Sequence, residues 1–447
     1  MSIESEIIHA DHEHLLHPLY HPSAHKTPIV WVEGRGAMVK DVTGKEYIDG
    51  LSGLWNVNVG HGREELAEAA AAQMRQLAFY SGYVGSTNLP AIHLAEKLSD
   101  LFYPSINTFF FTSGGAESTE TSFKTARFYW KAVGKPDKVK FISRMKGYHG
   151  VTMAAMAATG LPAYWPMFEP RMPGIVHIES PYPYRFVNKT PGVSDGVAAA
   201  NLLEEAILRE GPETVAAFIA EPIQGAGGVI PPQDDYFRRV REICDTYEVL
   251  LIADEVITGF GRTGRWFGLE HYGVEPDMVQ FAKGITSGYV PLGGVGVSDA
   301  IRKAIESVPP EKRWMHAFTY SGHPTACAVA LANIAIIERE GLVERAAEVG
   351  AHLNAALKEL EEMPVVGNVR GKGMMAAVEL VADKASKEPF PASANVGLRV
   401  QQEMTARGLF TRVIGDTICI APPLVTPVET IDRLVQIVGE SIAAVAP

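Results

Sequence analysis

The feature that most constrains this fold is a regular alternation of helical stretches with short apolar segments through the middle of the chain. The segments at 108–112, 138–142, 215–220, 249–253 and 278–282 are predicted strands, and each ends at a polar or glycine-bearing turn. This alternation is typical of α/β folds. Ligands of open parallel sheets gather beyond the carboxyl ends of the strands. The sequence therefore predicts a functional site at those ends.

The flanking sequence predicts a second, smaller unit. With 447 residues, the chain is too long for one simple core. Residues 63–77 and 324–339 read as helices, and 409–422 as a hairpin. We expect an α/β fold with a large domain at 76–340, built on a mixed, mainly parallel sheet. The segments 1–75 and 341–447 are expected to form a smaller α+β domain.

The first thirty residues are rich in histidine but lack a spacing typical of metal sites. No HExxH motif or firm helical pair is present. We therefore predict no metal, and an irregular arm that lies over a neighbouring surface. The histidines are His9, His12, His14, His17, His21 and His25.

Charge and composition narrow the possible partners and compartment. A net charge of −12 argues against nucleic acid. The three cysteines form no CxxC pair, which fits a reducing compartment. The polar, acidic N-terminus reads as neither a signal nor a transit peptide, and no run of about 18 apolar residues appears. We expect a cytoplasmic protein that does not span a membrane.

A lysine at the end of one apolar segment and an aspartate at the end of another suggest chemistry. Lys283 lies in FAKGITSGYVPLGG, and Asp254 in VLLIADEVITGFGRTG. The two side chains could simply form an ion pair. Burial, however, favours the neutral lysine that Schiff-base chemistry requires. In that interpretation Gly284 leaves room for the molecule that the lysine attacks.

Three further motifs follow strands. In FFFTSGGAESTET, a glycine-rich turn at Gly115 and Ala116 opens a helix whose amides could bind phosphate, although many such turns bind nothing. In FISRMKGYHGVT, Tyr148 and His149 could stack on a flat ring or simply contribute to packing. In AFIAEPIQGAGG, Glu221 belongs either to the site or to a solvated loop.

Taken together, these features suit pyridoxal 5'-phosphate. An aldehyde on a pyridine ring needs a lysine, an acid beside the ring nitrogen, amides for its phosphate and an aromatic face.

The chain resembles the class III aminotransferases of the aspartate-aminotransferase fold type I, within them the omega-amino-acid or amine:pyruvate branch. The motifs SGGAE, GYHG, EPIQGAGG, FAKGITSGYVPLGG and HAFTYSGHP occur in the family's order. The resemblance implies that Lys283 forms the internal aldimine and moves the proton, while Asp254 pairs with the ring nitrogen. It also implies cofactor contacts for His149, Glu221 and Ile257, the last in place of a glutamine common in the wider class. Finally, it implies that Val256 and Tyr148 flank the ring, that Gly115 and Ala116 hold the phosphate, and that Thr319 reaches the phosphate of the neighbouring subunit.

The resemblance also implies a substrate pocket and an oligomer. Trp55, Tyr20 and Tyr83 would supply aromatic walls, and Ala226 a small space opposite them. Arg412 would swing to clamp a carboxylate, although from the residues alone it could be a surface arginine. The expected reaction moves an amino group from an omega-amino acid or primary amine to pyruvate by a ping-pong mechanism. It would occur in a homodimer with shared sites or in a tetramer.

Other functions remain open at this stage. The same fold could act as an aminomutase or decarboxylase, or could use 2-oxoglutarate as acceptor. A non-catalytic binding protein is expected to lack the lysine or its acid. A nicotinamide dehydrogenase is disfavoured because no G-x-G-x-x-G follows the first strand.

Overall fold

The computed structural model describes residues 3–24, 26–83 and 85–446, so the predicted role of His25 lies outside the described residues. The helices are α1 (Ile3–His14), α2 (Ser52–Trp55), α3 (Glu64–Leu77), α4 (Leu89–Leu101), α5 (Gly115–Ala132), α6 (Met153–Ala158), α7 (Asp195–Glu210), α8 (Tyr236–Thr246), α9 (Asp299–Ser307), α10 (Pro324–Arg339), α11 (Leu342–Lys358), α12 (Val396–Ala406) and α13 (Val428–Val445).

The strands are β1 (Trp31–Arg35), β2 (Met38–Asp41), β3 (Glu46–Asp49), β4 (Ile106–Thr112), β5 (Lys140–Arg144), β6 (Ile175–Ile178), β7 (Val215–Ala220), β8 (Leu250–Asp254), β9 (Met278–Phe281), β10 (Gly293–Ser298), β11 (Val366–Lys372), β12 (Met375–Leu380), β13 (Leu409–Phe410), β14 (Arg412–Ile414) and β15 (Thr417–Ile420).

The central sheet has the order β4-β10-β9-β8-β7-β5-β6 within the described chain. Neighbours from β9 to β6 pair in parallel, whereas β10 is antiparallel to both β4 and β9. This confirms the predicted mixed, mainly parallel sheet and each of the predicted strands. The carboxyl ends of β8 and β9 are adjacent, which brings Asp254 to the same edge as the residues that follow Phe281.

Strand β10 was not predicted because its sequence, GGVGVS, is rich in a residue that strands disfavour. Its glycines are required by the rings of the neighbouring strands. A Cβ on Gly294 would lie 2.4 Å from the ring of Phe281, and one on Gly296 would lie 2.9 Å from the ring of Phe109. The rings of these phenylalanines, on the adjacent strands, occupy the space that side chains of β10 would otherwise fill.

Helices cover both faces of the central sheet, because its strands are apolar on both sides. In β7, Phe218 and Ala220 belong to the main core, whereas Ala217 and Ile219 face a second cluster with Phe123 of α5. The main core also includes residues of α7, α8 and α10. A parallel sheet buried on both faces is the usual reason for such continuous apolar strands.

Two smaller sheets flank this layer. One has the order β1-β2-β3-β13 and joins the two terminal segments of the chain, and the other has the order β11-β12-β15-β14. The pairing of β14 with β15 confirms the predicted hairpin. The predicted boundary at residue 75 falls inside helix α3, which ends at Leu77. The domain boundaries at residues 75 and 340 remain predictions.

The N-terminal segment differs from the prediction of an irregular arm, which is wrong for residues 3–14. These residues form α1, because the run between Ile3 and His14 contains no proline or glycine that would interrupt a helix. The described part of the chain contains no group of three or more metal-binding side chains. None of its helices combines the length and apolarity needed to cross a bilayer.

Candidate active site

Lys283 follows β9 and opens a tight turn with a left-handed backbone (φ +49°). Its amine makes no hydrogen bond or ion pair with any described residue, so the ion pair with Asp254, the alternative that the sequence left open, does not form. Burial lowers the pKa of this amine to about 8, despite the opposing charges of Asp254 and Glu221. The side chain is thus closer to its nucleophilic form than an exposed lysine, whose pKa is about 10.4.

Asp254, at the end of β8, is buried and supported by His149. The His149 Nδ1 atom lies 2.6 Å from Asp254 Oδ2. The other carboxylate oxygen accepts from Val256 N at 3.2 Å. His149 is itself held by α5, since its carbonyl accepts from Thr119 Oγ1 at 2.7 Å. The ring of His149 thus backs the aspartate and fixes the orientation of the carboxylate.

Glu221, at the end of β7, is a buried residue rather than a solvated loop acid. Its carboxylate accepts from Tyr148 N at 2.9 Å and from Gly225 N at 2.8 Å. Burial raises the pKa of this carboxyl, as does the nearby charge of Asp254. Glu221 therefore joins the loop that carries Tyr148 to the loop that carries Ala226.

The first turn of α5 supplies backbone amides at the same edge of the sheet. Among the described residues, no side chain caps this terminus. The Glu117 carboxylate instead accepts from Ser113 N at 2.8 Å, which closes the preceding turn. Val256 lies against Gly115, where a Cβ would be 3.2 Å from its methyl groups. The uncapped amides and the helix dipole make this turn a ready anion site.

These groups line one cavity of about 190 Å³. Its walls contain the predicted residues Gly115, Ala116, Tyr148, His149, Glu221, Asp254, Val256, Ile257 and Lys283, together with Gly150 and Val151. The structure therefore brings together most of the predicted cofactor residues. A free amine, a supported carboxylate, an aromatic side chain and uncapped helix amides fit pyridoxal 5'-phosphate, whose aldehyde, ring nitrogen, ring face and phosphate require those groups.

Arg412, on β14, is a free cation near this cavity. Its guanidinium makes no hydrogen bond or ion pair with any described residue, and it is partly exposed. Its positive charge contributes to the lowered pKa of Lys283, after burial as the main cause. Arg412 is therefore a side chain close to the reactive amine with unused donors, as a carboxylate clamp requires.

Trp55 and Ala226 do not line this cavity, although Trp55 packs in the same apolar cluster as Ile257, which does. Trp55 is 2% exposed and shares an apolar cluster with Ile223 and Ile257. Ile257 in turn fills the space above Gly225, where a Cβ would lie 2.5 Å from its Cδ1 atom. Ala226 is buried on the same loop. Trp55 has a left-handed backbone (φ +64°), and its indole nitrogen has no partner among the described residues.

The remaining predicted residues do not line the cavity of this chain. Tyr83 is 50% exposed and lines a separate space of about 360 Å³ with Phe110 and Phe318. Tyr20 lies beside His17 in the N-terminal segment, with ring centroids 6.0 Å apart. Thr319 is exposed. Their predicted roles remain predictions.

The structure also corrects the explanation of Gly284 and reveals supports that sequence reasoning missed. A Cβ on Gly284 would lie 2.7 Å from Asn58 Nδ2, so the space beside this glycine is occupied by Asn58. The Oδ1 atom of Asn58 accepts from the guanidinium of the fully buried Arg262 at 2.7 Å. In the sequence, these contacts of Asn58 with Gly284 and Arg262 are indicated only by the presence of single polar residues among apolar ones.

Comparison with known proteins gives a consistent family. A model described as aminotransferase class-III matches residues 19–442. The putrescine–pyruvate aminotransferase of Pseudomonas aeruginosa is 45% identical over 406 residues, covering 91% of this chain and 88% of that protein. The diaminobutyrate–2-oxoglutarate transaminase of Halomonas elongata is 44% identical over 409 residues, covering 90% of this chain and 87% of that one.

A solved structure agrees over the full length. The thermostable (S)-enantioselective omega-transaminase of Thermomicrobium roseum has a TM-score of 0.96 and 50% sequence identity, and the match covers 100% of both chains. The expected resemblance to the omega-transaminase branch is thereby confirmed. The chain belongs to the class-III aminotransferases and is a pyridoxal-phosphate-dependent transaminase.

Proposed function

We propose that this enzyme transfers an amino group from an omega-amino acid or a primary amine to pyruvate. The observation that carries the proposal is the unpaired amine of Lys283, which shares one cavity with Asp254 and the first turn of α5. The similarity to a putrescine–pyruvate aminotransferase and to an omega-transaminase supports this substrate class.

When bound, the cofactor supplies an aldehyde for amine exchange and a ring that accepts the electron pair released as the substrate C–H bond breaks. Asp254, supported by His149 at 2.6 Å, would keep the ring nitrogen protonated. The amides at the start of α5 would hold the phosphate. Val256 and Tyr148 would confine the ring between them.

Lys283 would carry the proton. With its pKa lowered to about 8 by burial, the Nζ atom is available as a base near neutral pH. It would remove the proton from the carbon that bears the amino group and return it to the carbon of the former aldehyde. The reverse half-reaction with the keto acid uses the same group in the opposite direction.

Arg412 would let one pocket accept two kinds of substrate. The carboxylate of pyruvate would receive its unused donors in a bidentate pair. A donor without a carboxylate would instead meet Ile257 and the apolar cluster that contains Trp55. This arrangement suits a donor and an acceptor of different polarity that bind in turn.

The complete site would need a second copy of the chain. Exposed apolar side chains surround the start of α5, among them Met74 and Tyr320, which are 54% and 57% exposed. Both line a space of about 420 Å³ that reaches Ser113. A homodimer, or a tetramer built from it, would cover this surface and bring Thr319 of one copy to the phosphate held by the other.

A reducing, cytoplasmic location is supported by the cysteines. Cys244, Cys327 and Cys419 are buried and unpaired.

A second candidate uses 2-oxoglutarate as acceptor, because the Halomonas elongata relative is a 2-oxoglutarate transaminase. Half-reactions separate the candidates. The loaded enzyme is first converted by β-alanine, putrescine or 1-phenylethylamine, and the absorbance of the cofactor is followed. Pyruvate or 2-oxoglutarate is then added, and alanine or glutamate is measured. Production of neither amino acid would refute transamination with both acceptors.

Borohydride reduction tests the role of Lys283. We expect one adduct, on Lys283. Lys138 is the internal control, because burial also lowers its pKa to about 8, but its amine donates to the carbonyls of Pro212 and Val215. An adduct on Lys138, or none on Lys283, contradicts the assignment.

Shared sites can be tested by mixing two inactive variants, Lys283→Ala and Thr319→Asp. In a mixed dimer, one site has both native residues, so activity should return after subunit exchange. No recovery, with exchange verified by mass, contradicts the shared site.

A further inference from the structure

The turn that carries Lys283 has an unusual backbone. Lys283 and Ser287 both have φ +49°, and Gly288 has φ +76°. Left-handed conformations of residues other than glycine are uncommon and persist only where surrounding contacts hold them. The turn therefore requires support from outside its own sequence.

Asn333 supplies that support from α10, a separate element. Its Nδ2 atom donates to the carbonyls of Gly284 and Ile285, each at 2.9 Å. Its Oδ1 atom accepts from Ser287 Oγ at 2.7 Å. Thus both the donor and the acceptor group of one amide contact the turn that begins at Lys283.

Packing alone does not explain why an asparagine occupies position 333. Asn333 is 0% exposed, and its helix neighbours Ala330, Ile334 and Ile337 are also buried. An amide in such surroundings is unfavourable unless its groups are hydrogen-bonded, and every hydrogen bond that the structure records for this side chain goes to the lysine turn.

Residues 58 and 59 also contact the turn. Asn58 lies against Gly284, where a Cβ would be 2.7 Å from its Nδ2 atom. Asn58 Nδ2 donates to the carbonyl of Phe260 at 2.9 Å, and Val59 N donates to Ser287 Oγ at 3.2 Å. Contacts with Asn58, Val59 and Asn333 together leave the turn little space in which to shift.

We propose that Asn333 is a positioning residue that holds the left-handed turn and thereby keeps the amine of Lys283 directed into the cavity beside Asp254. This inference rests on the role of Lys283 proposed above. Asn333 does not line the cavity that contains Lys283, and it would act only through its contacts with Gly284, Ile285 and Ser287.

The test replaces the amide and measures the lysine itself. In Asn333→Ala, the Gly284 and Ile285 carbonyls lose their donor, so the turn should relax and the amine should become more solvated. Competitive labelling of the cofactor-free protein, read by mass spectrometry at Lys283, should give an apparent pKa about one unit or more above that of the wild type. In the loaded enzyme, kcat should fall by on the order of 10- to 100-fold, with the donor KM little changed.

Asn354→Ala is the matched control. Asn354 on α11 also donates to two carbonyls, those of Gly350 and Gly373 at 2.7 and 2.9 Å, but it makes no hydrogen bond with the described residues of the lysine turn. It should lower thermal stability without changing the labelling pKa of Lys283. Ser287→Ala removes the hydroxyl that donates to Asn333 and accepts from Val59 N, but it keeps both bonds from the Asn333 amide to the backbone. It should shift that pKa in the same direction by a smaller amount and provides the test if Asn333→Ala does not fold.

The proposal is overturned if the Asn333 variant folds with the labelling pKa and kcat of the wild type. It is equally overturned if the Asn354 variant shifts both by the same amount, or if Asn333→Ala does not fold and Ser287→Ala leaves the pKa unchanged. Because the labelling uses cofactor-free protein, its outcome is independent of the borohydride result that tests the proposed function.

Discussion

Replacement of Asp254 by asparagine is the sharpest test of the proposed chemistry. The substitution keeps the shape of the side chain and an oxygen that can face His149, but it removes the negative charge. Asp254 is 3% exposed. In the loaded enzyme, Asp254 would pair with the protonated ring nitrogen of the cofactor. Loss of one partner of such a buried ion pair costs about 3–5 kcal/mol. Since each 1.36 kcal/mol is a factor of ten, we expect the donor half-reaction to slow by about 10²- to 10⁴-fold.

The state of Lys283 must be measured in the same variant. The charge of Asp254 raises the pKa of Lys283 and opposes the effect of burial. Without that charge, the pKa of the cofactor-free variant should fall below its present value of about 8. Competitive labelling at Lys283 reports this change. A slower reaction together with a more easily deprotonated lysine cannot be ascribed to protonation of the amine.

Asp277→Asn is the control, because Asp277 lies at the other end of β9. Its carboxylate accepts from Leu251 N at 2.7 Å and pairs with Arg241 at 2.9 Å. This variant should lose stability but react at the normal rate once it is loaded. The reasoning is refuted if Asp254→Asn reacts within about tenfold of the wild type, a loss below 1.4 kcal/mol.

Three further predictions concern the same site. Arg412→Leu should lower kcat/KM for pyruvate by about 10- to 100-fold, the loss expected for a charged hydrogen bond, and should leave the half-reaction with 1-phenylethylamine little changed; equal losses would contradict the clamp. Because burial lowers the pKa of Lys283 to about 8, the folded cofactor-free protein binds fewer protons than the unfolded chain between that pH and about 10.4. Its free energy of unfolding, measured relative to Lys283→Met, should therefore rise with pH through this window, and a fall would show that the amine is not buried as described. Gly284→Ala should destabilise the protein by about 1–3 kcal/mol in chemical unfolding, because the new Cβ would lie 2.7 Å from Asn58 Nδ2; an unchanged stability would show that Asn58 can move aside.

Local pattern was sufficient for the strands that carry the reactive residues and for the residues at their ends. The apolar runs before Asp254 and Lys283 predicted β8 and β9 to within two residues of either end. Parallel strands place their carboxyl ends at one edge, so the meeting of these side chains followed from the class of fold. The hairpin that carries Arg412 was equally visible, because turn residues separate two alternating segments.

Other features could not be found this way, because they depend on residues distant in the chain. Strand β10 was not predicted because it is rich in glycine. The rings of Phe281 and Phe109 fill the space that side chains at Gly294 and Gly296 would otherwise occupy. The explanation of Gly284 was wrong because the neighbour that requires it, Asn58, lies in a distant loop that follows α2. Helix α1 in the histidine-rich N-terminal segment was not predicted either, although Ile3–His14 contains no proline or glycine.

The α/β class and the reactive groups could be predicted from the residues alone, because periodicity and strand ends are local properties of the chain. How these groups are held depends on the three-dimensional packing of distant segments. The support of Asp254 by His149 and of the lysine turn by Asn333 requires side chains from separate elements to meet at hydrogen-bonding distance. The packing of the whole chain sets that distance, and no local pattern encodes it.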